Sequence, residues 1–91
     1  MAWRMDLRQV FALNLRRFRQ AKGLSQEALA YEANVNRTYL SRLEKGATYV
    51  GLEIIGRLSR VLEVEPAEFL MASKAVRQRR AKTRKGVGPS K

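Results

Sequence analysis

One stretch limits this chain more than any other: Gly23 to Gly46, GLSQEALAYEANVNRTYLSRLEKG. It holds two short helical patterns with a brief break between them. Ser25 is placed to cap the first, since its hydroxyl can accept a backbone N–H that no helical carbonyl reaches. Leu29, Ala30 and Ala33 give that helix a small apolar face. The break is Asn34-Val35-Asn36. Asparagine is one of the few non-glycine residues that enters left-handed backbone angles at low cost, as a sharp turn at Asn34 requires. Asn36 is placed to cap the second helix, which runs to Lys45 and stops at Gly46, a good residue for the first position past a helix.

At 100° per residue the second pattern divides into two faces. Leu40 and Leu43 point into a core. Arg37, Thr38, Ser41, Arg42 and Lys45 fill the opposite arc, about 140° wide. That outer face carries donors and a methyl but no acid, a combination suited to base edges and phosphates. Ala30 serves the same geometry, because two helices crossing steeply through a short turn need a small residue where they meet. Periodicity alone is also satisfied by an ordinary solvated face.

The stretch resembles the helix-turn-helix of the Xre family, which includes phage repressors, Cro proteins and small bacterial regulators. The resemblance rests on Gly23-Leu24-Ser25-Gln26, Leu29-Ala30, Val35 and Ser41-Arg42-Leu43-Glu44-Lys45-Gly46. It extends to Leu15-Arg16 and Arg19 upstream and to Leu52–Leu70 downstream. Two positions depart from the family pattern: Asn34 stands where glycine is usual, and Val50-Gly51 where Pro-Ser is usual. The resemblance implies base contacts from Arg37, Thr38, Ser41 and Arg42. It also implies phosphate contacts from Ser25, Gln26, Asn36, Lys45 and Tyr49, and an ion pair between Arg19 and Glu44.

Composition restricts the alternatives. The 91 residues include no cysteine and no histidine, and Asp6 is the one aspartate. Disulfides and the usual Cys/His metal sites are therefore excluded, and acid–base chemistry would lack its commonest group. An enzyme is the least expected class, and no cofactor, metal or small-molecule ligand is expected. No apolar run approaches the roughly 20 residues needed to span a bilayer, and no secretory signal is visible. A cytoplasmic, nucleoid-associated protein is expected. The formal charge is +11, but eight of the 19 Lys/Arg residues fall in residues 74–91, which hold no acid. Residues 1–73 then carry eleven basic and eight acidic residues, a net of +3. A basic tail points to a polyanion in general.

Along the chain, residues 1–5 read as an arm. Asp6 with Gln9 suggests a capping box for a first helix to about Ala21. Leu7, Val10, Phe11, Leu15, Phe18 and Ala21 form its core side; Asn14 projects into the middle of that side without an evident partner. Ala47–Gly51 reads as a loop, and a fourth helix follows over Leu52–Leu62. Leu52, Ile55, Leu58, Ser59 and Leu62 lie on one side of it, and Ile54 and Val61 widen the apolar arc to about half the circumference. Glu65-Pro66 opens a fifth helix.

The expected fold is all-α: a compact five-helix, lambda-repressor-like domain over residues 6–73, with the basic, partly disordered tail 74–91 after it. The expected function is sequence-specific binding of a palindromic double-stranded DNA operator by a homodimer, acting in transcription regulation as a repressor or autoregulator. Phe69, Leu70, Ile54 and Val61 are the expected dimer surface. An antitoxin-like protein-interaction module and a non-specific nucleic-acid binder are the alternatives.

Overall fold

The computed structural model describes residues 6–71. The expected arm 1–5, with Trp3, and the basic segment 74–91 lie outside the described residues. Four α-helices follow one another: α1 Leu7–Ala21, α2 Gln26–Ala33, α3 Arg37–Glu44 and α4 Leu52–Leu62. In place of a fifth α-helix there is a 3-10 turn, Pro66–Leu70. The all-α class holds; the fifth helix is corrected to this turn.

The turn stays short because its carbonyls are used elsewhere. The Asn14 amide donates to the carbonyls of Phe69, at 2.8 Å, and Met71, at 3.0 Å. Met71 is already extended. A helix continuing past Leu70 would need those carbonyls along its own axis.

All four helices end the same way. In each, a residue with positive φ follows the last turn, and the next N–H reaches back five residues: Leu24 to Arg19, Val35 to Ala30, Ala47 to Arg42 and Val64 to Ser59. This closes carbonyls that would otherwise be unpaired. The positive-φ residues are Gly23, Asn34, Gly46 and Glu63. Asn34 sits at φ 56°, the left-handed angle its type allows. Leu24, Val35 and Val64, just beyond three of these turns, pack on the core.

α1 packs against α3 and the 3-10 turn, and α2 packs against α3 and α4. Leu15, Leu29, Leu40, Leu58 and Phe69 are fully buried. Phe69 lies between Phe11 and Phe18, with ring centroids 5.1 and 5.5 Å away. Truncating a leucine in such a core typically costs ~2–5 kcal/mol.

Four sequence expectations need correction. Asp6 caps α1 through the Arg8 N–H at 2.9 Å, and Arg8 also grips its carboxylate; Gln9 closes no box. The Gln9 amide instead covers Gly46, where a Cβ would collide with it. Leu7, Ala21 and Leu52 are expected on core faces, yet all three are exposed, Leu52 at 85%. Leu7 and Leu52 occupy the first position of their helices and Ala21 the last of α1, beyond the turns that pack, so the wheel angle is right and the depth is not.

Candidate nucleic-acid interface

α3 turns Leu40, Leu43 and Glu44 inward and leaves Arg37, Thr38, Arg42 and Lys45 exposed, with Ser41 half-buried beside them. The amphipathic pattern thus carries directly into the fold. Glu44 is the one acid within α3, and it is 2% exposed. Arg19 holds its carboxylate with two bonds, at 2.5 and 3.0 Å, and Arg16 donates to its backbone carbonyl at 2.5 Å. The outer face of α3 is therefore free of negative charge. Arg19 also donates to the Leu24 carbonyl at 2.8 Å, tying α1 to the start of the two-helix unit.

Both helix N-termini of that unit are capped as their sequence suggests. Ser25 Oγ accepts the Ala28 N–H at 3.0 Å, and Asn36 Oδ1 accepts the Tyr39 N–H at 3.1 Å. Both capping residues remain exposed. Gln26 is more constrained than a surface residue, because its side-chain amide donates to Glu44 Oε1 at 3.0 Å. One amide hydrogen is used this way; the second and the carbonyl oxygen have no partner among the described residues.

Tyr49 is exposed in the loop after α3, with the Arg8 guanidinium 4.7 Å from its ring centre. That loop is pinned to α3 by the Tyr39 hydroxyl, which donates to the Tyr49 carbonyl at 3.2 Å. The sequence pattern assigns no role to Tyr39 or Arg8, and Arg16 enters it only through the family resemblance. For Tyr39 a signal existed: it is the aromatic flanked by the outer residues Thr38 and Arg42 on α3.

The expected dimer surface fares differently. Phe69 is 0% exposed and already surrounded by its own chain, so it is removed from that list. Its ring packs against those of Phe11 and Phe18 on α1, which take it into the core. Ile54 and Val61 are half-buried against the core. Leu70 is exposed and lines an apolar groove of about 210 Å³ with Leu7, Phe11, Tyr49, Val50, Leu52 and Ile55.

Among the described residues no group of His, Cys, Asp or Glu is arranged to hold a metal, and no helix is long and apolar enough to cross a membrane.

A family model described as helix-turn-helix matches residues 15–69. The chain belongs to the helix-turn-helix family. Within it, the chain is similar to control protein C.BamHI of Bacillus amyloliquefaciens, with 38% identity over 71% of this chain and 82% of that protein. Its fold is similar to the crystal structure of a hypothetical transcription factor from Neisseria, with a TM-score of 0.74 and 37% identity over 87% of this chain and 86% of that one. It is also similar to the restriction-modification controller protein C.Esp1396I, solved as a tetramer on its natural 35 base-pair operator. There the TM-score is 0.64 and identity 29%, over 71% of this chain and 86% of the other. The matched span covers α2, the Asn34 turn and α3, so the helix-turn-helix is this unit.

Proposed function

We propose that the protein is a transcriptional regulator that binds a palindromic double-stranded DNA operator as a homodimer, in the cytoplasm, and represses by occupying the site. The observation that carries this reading is the α3 face: Arg37, Thr38, Arg42 and Lys45 point outward while the helix's single acid is buried against Arg19. Arginine can grip guanine N7 and O6 with two bonds, and the threonine methyl can meet a thymine methyl. Ser25, Gln26, Asn36, Lys45 and Tyr49 border that face and supply phosphate contacts that fix register. The second amide hydrogen of Gln26 and the solvent-exposed, Ser25-capped N-terminus of α2 suit an anion there.

Dimerisation would use the groove bounded by Leu7, Tyr49, Leu52 and Leu70, with a second copy as its occupant. The controller relative assembled on its operator supports self-association on DNA. Two copies on a two-fold axis would place recognition helices about 34 Å apart, one turn of duplex. The basic residues of segment 74–91 would add sequence-independent attraction.

Selection of preferred sites from a random duplex library tests the reading; a two-fold symmetric consensus is expected. On that consensus, Arg37→Ala or Arg42→Ala should cost about 1–3 kcal/mol and relax preference at one base pair per half-site. Gln26→Ala should weaken all duplexes alike. Equal affinity for unrelated duplexes would leave only a general nucleic-acid binder.

A further inference from the structure

The carbonyl of Asn34 is the free end of the turn that joins α2 to α3. Asn34 adopts φ 56°, ψ 51°, and its N–H is satisfied by Tyr31. The carbonyl accepts no backbone N–H among the described residues. Its partner is Arg57 Nη1 on α4, 2.9 Å away and 23 positions later in the chain. The other arm of the same guanidinium, Nη2, is held by Glu53 at 2.8 Å, one turn earlier on α4. Arg57 is thus braced on its own helix and aimed at the turn.

We propose that Arg57 is a positioning residue for sequence readout: it fixes the tilt of α3 by fastening the Asn34 turn to α4. This rests on the DNA-binding reading above. Besides the Val35 side chain packed on the core, the turn has two hydrogen-bonded anchors. One is the backbone pair from Asn34 and Val35 to the end of α2, which ties it to α2 alone. The other is Arg57, which ties it to α4, the helix on which α2 packs. Without Arg57 the left-handed turn keeps its local closure and the buried Val35 side chain, and loses its hydrogen bond to α4. The phosphate contacts at Gln26 and Asn36 flank the turn, so a small change in tilt moves the α3 side chains relative to the base edges while leaving the backbone grip available. Specificity therefore depends on Arg57 more than general affinity does.

The charge also has to be separated from the hydrogen bond. Arg60 lies on the same helix, is exposed, and makes no hydrogen bond among the described residues, so Arg60→Ala removes an equal charge without touching the turn. The test measures affinity of wild type, Arg57→Ala, Arg57→Lys and Arg60→Ala for the selected consensus and for an unrelated duplex at one salt concentration, with thermal unfolding of each. Arg57→Ala should lose roughly three- to tenfold of the consensus-to-unrelated ratio, the range a partly exposed charged hydrogen bond commands. Arg57→Lys, which keeps a donor, should recover part of it. Arg60→Ala should leave the ratio unchanged. A selective wild type whose ratio survives Arg57→Ala overturns the proposal alone, whether or not the melting temperature falls. Equal loss on both duplexes makes Arg57 a plain phosphate contact and overturns it too. A wild type with no preference overturns the DNA reading, and this proposal with it.

Discussion

Asn14, on α1, holds the carbonyl of Phe69 at 2.8 Å from 55 positions away, and this single amide decides where the last turn ends. Asn14 is 1% exposed, and its own oxygen is used by Arg17 at 3.0 Å. Every polar atom of the side chain that faces the interior is therefore spoken for, as burial requires.

Asn14→Leu should cost about 1–3 kcal/mol, because the Phe69 and Met71 carbonyls would be left without a donor. Asn14→Asp should cost more, since a carboxylate would face two carbonyl oxygens in a poorly hydrated place. Chemical denaturation of the three proteins checks the order. If Asn14→Leu matches the wild type, water reaches those carbonyls and the amide is no latch.

The same residue shows where reading a sequence stops. Helical periodicity locates a face, so Leu40 and Leu43 inside, and Arg37 and Arg42 outside, follow from spacing alone. Turn chemistry is nearly as local: Ser25, Asn34 and Asn36 act within a few residues of their own position. Asn14 and Arg57 act across 55 and 23 positions, and no local pattern names such partners. The Phe69 error has a related cause. Composition shows how many large apolar side chains there are, but only the packed chain shows which of them the core takes in. Leu7 and Leu52, counted inside, are left out.

The Glu63 carboxylate offers a pH-dependent test. Lys22 Nζ lies 2.5 Å from it, and that hydrogen bond, followed by the charge itself, holds the carboxyl below its ordinary value of 4.5. Asp6 is lowered in the same sense by Arg8, through its side chain first. For a carboxyl with a depressed folded pKa, the unfolded chain binds the proton more readily. The stabilisation is then complete above the ordinary value and lost as pH falls through the folded one. Melting temperature should decline below about pH 5, and Lys22→Met should make that decline shallower. Both carboxylates face solvent, so high salt should shrink the difference. Identical slopes for wild type and Lys22→Met at low salt would remove the pair from the account.

The groove and the buried ring predict opposite outcomes for two substitutions in one region. Leu52 is 85% exposed and Phe69 is 0% exposed, although they lie on two elements in contact, α4 and the 3-10 turn. Leu52→Glu places a charge at the mouth of the groove, where a second copy would have to bury it without a partner. That protein should keep its helical signal and sediment as a monomer at concentrations where the wild type is a dimer. Its binding to a full palindromic site should fall, while binding to an isolated half-site should not. Phe69→Asp should instead lose the fold, since removing a core phenylalanine alone costs about 3–5 kcal/mol, and the new carboxylate would sit between the rings of Phe11 and Phe18. A folded, monomeric Phe69→Asp would return that residue to the surface. A dimeric Leu52→Glu would mean that the two copies meet elsewhere, with the half-buried Ile54 and Val61 side of α4 next in line.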